Sequence, residues 1–143
     1  MDSQDRTTPM RSGELARLSG VSTDTLRHYE RIGVLAKAPR TKSGYRQYPP
    51  SALDRVRLVR RAISVGFTLE ELARVLRIRD KGGAPCRQVR DLALSKLEGV
   101  ERRLEELVLV RDHLRMLLKD WDDRLARSAP GQRVGLLDSL GRS

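Results

Sequence analysis

Residues 13–35, GELARLSGVSTDTLRHYERIGVL, decide the fold of this chain. Leu15, Ala16 and Leu18 recur at helical spacing behind Ser12, the expected N-cap, and Gly20 supplies a residue able to end a helix in the left-handed region. Val21 fills the turn. Ser22 or Thr23 then caps a second helix through Thr25, Leu26, His28, Tyr29 and Ile32, which Gly33 closes. Two short helices across a tight glycine turn form a helix-turn-helix, and its second helix is the element that enters a major groove.

Working outward, residues 36–50, AKAPRTKSGYRQYPP, are too rich in proline and glycine for a helix. Ser43-Gly44 between Pro39-Arg40-Thr41 and Tyr45-Arg46-Gln47-Tyr48 predicts a small hairpin, a wing whose tip gathers Arg40, Lys42 and Arg46. Side chains alternate along a strand, so Tyr45 and Tyr48 face opposite ways: one packs and the other points to a partner. Ser51 opens a third helix with Leu53, Val56, Leu58, Val59 and Ile63 as its apolar side and Arg55, Arg57, Arg60 and Arg61 around the remainder. Gly66 and Phe67 interrupt it. Thr68 and Glu71 form a capping box for a fourth helix whose expected core face is Leu69, Leu72, Val75, Leu76 and Ile78.

After Lys81-Gly-Gly-Ala-Pro the pattern changes. From Cys86 to about Trp121 there is no proline and a single glycine, Gly99. Ala93, Leu97, Val100, Leu104, Leu107, Leu114 and Leu118 follow one another at spacings of 4, 3, 4, 3, 7 and 4, the 7 passing over Arg111. One small domain cannot bury a heptad-like stripe of this length, so it calls for a partner helix, with Leu97, Val100, Leu104, Leu107, Leu114 and Leu118 as the dimerisation positions. The alternative is a helix folded back on its own head. The expected organisation is a disordered lead over 1–10, a winged helix-turn-helix over 11–80, a dimerisation helix over 86–120 and a C-terminal effector loop or tail over 121–143.

Charge separates the same regions. Residues 1–86 hold 17 Lys/Arg against 9 Asp/Glu, whereas residues 87–143 hold 12 against 10, within a total net charge of +10. A basic head on a near-neutral helical half fits a polyanion reader fused to an assembly element. Only 3% of the residues are aromatic, which disfavours stacking platforms for single strands and favours double-stranded DNA. The single cysteine excludes an intrachain disulfide and fits a reducing cytosol. No apolar run approaches the roughly 20 residues of a membrane span, so the expectation is a bacterial cytosolic, nucleoid-associated protein with no membrane partner. Histidines are limited to His28 and His113, and neither a Ser/His/Asp set nor a phosphate-cradling glycine loop occurs. An enzyme is not expected.

The stretches GELARLSGVSTDTLRHYERIGVL, RTKSGYRQY at 40–48 and LDRVRLVRRAISVGFTLEEL at 53–72 together resemble the DNA-binding domain of the MerR family of transcription regulators. The likeness extends over roughly residues 11–118, through the order helix-turn-helix, wing, second helix pair and long helix. It implies a mainly α fold: a winged helix-turn-helix DNA-binding domain plus a long antiparallel coiled-coil dimerisation helix. It also implies a homodimer on a pseudopalindromic operator in an overlong promoter spacer, which distorts that DNA on effector binding so that RNA polymerase is switched, at a deformation energy of a few kcal/mol. Under the resemblance Thr23, Thr25, Arg27, His28 and Tyr29 match recognition-helix positions facing the groove or phosphates. Arg40, Lys42, Gly44, Tyr45, Arg46 and Tyr48 match the first wing, and Arg60 and Arg61 lie at the backbone contact of the second helix pair. A constitutive DNA-bending, nucleoid-type protein with the same fold is the rival reading.

The metal-sensing branch of the family implies three cysteines, one at the start of the dimerisation helix and two in the loop beyond it. Cys86 stands at the first position, where a helix start favours a thiolate. Trp121 stands at the second, and Val134-Gly135 replaces the Cys-Pro of the third. Four readings stay open. An apolar effector sits against Trp121, Leu117 and Leu118; or zinc binds Cys86 together with His113, Asp120, Asp122 or Asp123 of the partner chain; or Cys86 senses oxidants or electrophiles; or Cys86 is a small buried residue without a sensing role.

Overall fold

The computed structural model describes residues 8–142. The expected lead lies outside the described residues as far as position 7, but Met10 does not belong to it. Met10 and Arg11 form strand β1, and Met10 is almost wholly buried. Arg11 is then held in extended backbone at the N-cap of helix α1 (Ser12–Ser19). Ser12, expected as the cap, is therefore already helical, and no side chain caps this helix. Gly20 ends α1 at φ 70, and Ser22 starts helix α2 (Thr23–Ile32) by accepting a 3.1 Å hydrogen bond from the Thr25 backbone N–H.

The wing follows. Arg40 and Arg46 bridge across the hairpin, Thr41 N–H donates to the Tyr45 carbonyl, and Gly44 takes the positive φ, +83°, that the turn demands. Strand β2 (Gln47–Tyr48) returns antiparallel to β1 in the register Met10 to Tyr48 and Arg11 to Gln47. The alternation rule holds: Tyr48 is buried and Tyr45 is exposed, with the Arg11 guanidinium stacked 4.5 Å from the Tyr45 ring centroid.

Helices α3 (Ser51–Ser64) and α4 (Leu69–Asp80) close the head. The capping box of α4 is present: Thr68 Oγ1 accepts from Glu71 N–H, and Glu71 Oε1 accepts from Thr68 N–H. Leu15, Leu26, Val34, Val56 and Val59, with Met10 and Tyr48, form the fully buried centre. Burial of one such side chain is worth roughly 1.5–3 kcal/mol. The expected core faces of α3 and α4 are too wide, however. Leu58, Ile63 and Ile78 remain between 36% and 39% exposed, because helices α1 and α2 cover α3 and α4 from one side only. Leu58 instead lines an apolar cavity of about 270 Å³ with Phe67, Val75, Pro85 and Val89.

Helix α5 (Cys86–Ala126) contains no buried residue. The chain divides into one unit ending at Lys96 and another beginning at Leu97. In the second unit α5 runs past the expected end at 120, since nothing in WDDRLA breaks a helix and Arg124 pairs with Asp120 one turn earlier at 2.9 Å. Trp121 is thus helical rather than part of a loop. Its Nε1–H donates to Ser139 Oγ at 3.3 Å, which ties it to the short helix α6 (Leu136–Leu140). Among the described residues no helix is long and apolar enough to cross a membrane.

Candidate nucleic-acid interface

Two walls of positive charge face each other across a cleft of about 570 Å³ in the head. One wall is α2, with Arg27 and Arg31 a helical turn apart. The other is the wing and its approach, with Lys37, Arg40 and Arg46. Asp24 and Glu30 are the acidic members. Asp24 lies at the exposed rim, 3.4 Å from Arg27, whereas the Glu30 carboxylate is only 5% exposed. Glu30 Oε2 accepts from Arg46 Nη1 at 2.6 Å, and Glu30 Oε1 accepts from the Tyr48 hydroxyl at 2.5 Å and from Ala38 N–H at 3.5 Å.

A second cationic group lies on α3. Arg57, Arg60, Arg61 and Ser64 surround a shallow hollow. Arg60 Nη1 donates to the Ser19 carbonyl at 2.6 Å and so satisfies the C-terminal end of α1, where the helix dipole is negative. The same guanidinium explains Gly20 twice over. A Cβ there would stand 2.8 Å from Arg60 Nη1, and the backbone already sits at positive φ.

Arg27, His28, Arg40, Lys42, Gly44, Tyr45, Arg60 and Arg61 are all exposed, as a surface for a polyanion requires. Thr23 and Thr25 are half-buried, and the Thr25 hydroxyl is engaged with Ser22 Oγ at 3.0 Å. Two expected contact residues are corrected. Tyr48 and Tyr29 both pack their rings into the core, and the Tyr48 hydroxyl is spent on Glu30. Burial pushes both phenols above their ordinary range, opposed at Tyr29 by the nearby Arg60 guanidinium and reinforced at Tyr48 by the Glu30 hydrogen bond. Arg46 is a qualified case, since one nitrogen is committed to Glu30 and its side chain is 26% exposed. Sequence reasoning passed over Arg11, Glu30, Arg31, Lys37 and Arg57. Arg57 and Arg31 carry a legible signal, because each stands three or four residues from a named arginine on the same helix.

The joint between the head and the start of α5 is ionic. Lys96 Nζ lies 2.7 Å from Glu71 Oε1, the oxygen that also closes the α4 capping box. The Lys96 ammonium, then the Thr68 N–H, hold the Glu71 carboxyl down at about 2.

The six seam positions Leu97, Val100, Leu104, Leu107, Leu114 and Leu118 are 48–57% exposed, so a single chain leaves the whole stripe open to water. Cys86 is exposed too, which removes the reading of it as a buried residue within its own chain. Cys86, His113 and Trp121 all lie on helix α5. Among the described residues no three His, Cys, Asp or Glu side chains group to hold a metal.

Comparison with known proteins places these features. Residues 10–78 match the family described as MerR HTH family regulatory protein, and residues 53–117 match the one described as MerR, DNA binding. The mercuric resistance operon regulatory protein of Bacillus cereus is 38% identical over 130 residues, covering 91% of this chain and 96% of that one. A probable heavy metal-dependent transcriptional regulator of Haemophilus influenzae is 36% identical over 98 residues, 68% of this chain and 77% of its own. The crystal structure of a transcription regulator from Ralstonia metallidurans CH34 in complex with lead(II) superposes with a TM-score of 0.71 at 28% identity, covering 92% of this chain and 98% of that one.

Proposed function

The chain belongs to the MerR family of HTH regulatory proteins, and on that premise we propose that it works as a homodimer on one promoter. Transcription regulation through DNA is the family's activity, and catalysis is not. In the proposed arrangement the stripe from Leu97 to Leu118 pairs antiparallel with its copy, which carries two winged heads to the half-sites of a pseudopalindrome. Effector binding distorts the spacer, and RNA polymerase reads the result.

The observation that supports this reading best is the two-walled cationic cleft between α2 and the wing. A recognition helix alone reads bases, but a wing set opposite it grips the flanking phosphates and fixes the register of reading. Arg27, Arg31, Lys37 and Arg40 are the phosphate-gripping candidates of the cleft, joined by the exposed Lys42 in the turn of the wing and by Arg57 and Arg61 on α3. The test is the salt dependence of binding to the duplex that the full-length protein selects from a randomised pool. Log affinity should fall steeply and linearly with log salt, and Lys42→Ala should reduce that slope by about one. A flat salt response would remove the reading. Uniform coating of unselected DNA would replace it with a nucleoid-type role.

A metal effector is suggested by the relatives, one named for a mercuric resistance operon, one for heavy-metal dependence and one solved in complex with lead(II). The residues here do not fit a thiolate-rich site of the kind soft metals select. The chain supplies one thiol, and the Trp121 indole, bonded to Ser139, occupies the position where the resemblance calls for the next one. No step of the switch is therefore routed through a metal. Two effector classes agree with the residues present: a borderline metal such as zinc, held by Cys86 with His113, Asp120, Asp122 or Asp123 of the second chain, and an apolar small molecule against Trp121, Leu117 and Leu118.

A further inference from the structure

We propose that Glu30 is the positioning residue that sets the wing against the recognition helix, and that Arg46 and Tyr48 serve DNA binding through it. This rests on the DNA-binding reading given above. Three segments distant in sequence end on this one carboxylate: Ala38 N–H from the approach to the wing, Arg46 from the hairpin, and Tyr48 from β2. Other bonds of the wing are internal to it, such as Arg40 Nη1 to the Gly44 carbonyl and Gln47 N–H to the Pro39 carbonyl, or join it to β1 through the pairing of Tyr48 with Met10 and the stacking of Arg11 on Tyr45. They shape the hairpin and anchor its base to β1, but they do not reach α2. The tie to the recognition helix comes from Glu30, which is rigid on two counts. It sits in the last turn of α2, and its side chain is buried.

Chemistry supports this division of labour. A buried carboxylate beside a phosphate-binding cleft is unfavourable unless it is neutralised and hydrogen-bonded. Arg46 supplies the compensating charge and Tyr48 a second donor, so the carboxylate is satisfied beside the cleft without opposing DNA. The arrangement fixes the separation of the Arg27–Arg31 wall from the Lys37–Arg40 wall, and both must meet phosphates at once.

Glu30→Gln separates the two possible roles by sign. Were Glu30 only a charge near DNA, its neutralisation would tighten binding. As a positioning group its neutralisation removes the ionic partner of Arg46 and turns one of the two acceptor oxygens into an N–H donor, which loosens the wing. Affinity for the selected duplex, measured by fluorescence anisotropy across a potassium chloride series, should fall about tenfold, the equivalent of one hydrogen bond to a charged group. The salt slope should stay unchanged, because no phosphate contact is removed. Tyr48→Phe keeps the ring in the core and should cost about threefold, as expected for losing one donor of several. Glu30→Gln combined with Arg46→Met should bind as weakly as the weaker single variant, since the two act as one unit. Thermal melting of each variant checks the fold. Equal or tighter binding by folded Glu30→Gln overturns the proposal, as does additivity in the double variant. Should Glu30→Gln not fold, wild-type affinity in Tyr48→Phe overturns it instead. Failure of the wild-type chain to select any duplex falls on the function reading and not on Glu30.

Discussion

The head and the distal part of α5 are both helical, yet they stand on different physics. In the head, Leu15, Leu26, Val56 and Val59 are fully buried, and buried polar groups such as Glu30 and Tyr48 satisfy one another. In the unit from Leu97 onward not one α5 residue is buried, and Leu109 and Met116 are 71% and 72% exposed. The head therefore carries its own stability. The distal helix is a surface waiting for its complement, because a helix with an open apolar stripe gains little from local propensity alone.

The largest effect that tests this contrast lies on the distal side. Leu104→Asp should raise the dimer dissociation constant by at least about a hundredfold, since each copy would then bury a carboxylate without a partner. Light scattering over a dilution series reads it, and an unchanged dimer would displace the seam. The next test applies one chemical change to both regions. Leu26→Ala should cost the head about 2–5 kcal/mol, whereas Leu109→Ala should stay within about 0.5 kcal/mol. Denaturant melts compare them, and equal losses would break the contrast.

The smallest effect lies at the Glu71–Lys96 joint. The Glu71 carboxyl is held at about 2, below its ordinary 4.5, so folding favours its ionised form. Its contribution is complete above the ordinary value and is lost as pH falls toward 2. Near neutrality Glu71→Gln should be less stable than wild type by about 1 kcal/mol or less, as a partly exposed pair allows. The gap should close as pH drops from 4.5 toward 2. A gap independent of pH would assign the effect to the α4 cap and not to the ion pair.

What was legible in the sequence was local. Ser22 and the Thr68–Glu71 capping box announce helix starts within four residues, and Gly20, Gly33 and Gly44 take the positive φ that their places demand. The odd spacing of Tyr45 and Tyr48 separated an exposed ring from a buried one before any contact was known. The partners of those rings were not legible. Arg46 reads as a tip cation, but it spends a nitrogen on Glu30 sixteen residues earlier. Tyr48 reads as a wing contact, but its ring is buried in the core.

The amino-acid sequence by itself determined the order of elements, the basic head and the apolar stripe that requires a second helix, since caps, glycine dihedrals and hydrophobic period depend on neighbours within a turn or two. Only the tertiary structure decided which cations are left to solvent alone and which spend a nitrogen on an acceptor of the protein itself. That choice depends on which carboxylates and carbonyls the packing brings near, Glu30 for Arg46 and the end of α1 for Arg60. An arginine looks the same in sequence whether it faces a phosphate or a buried acceptor.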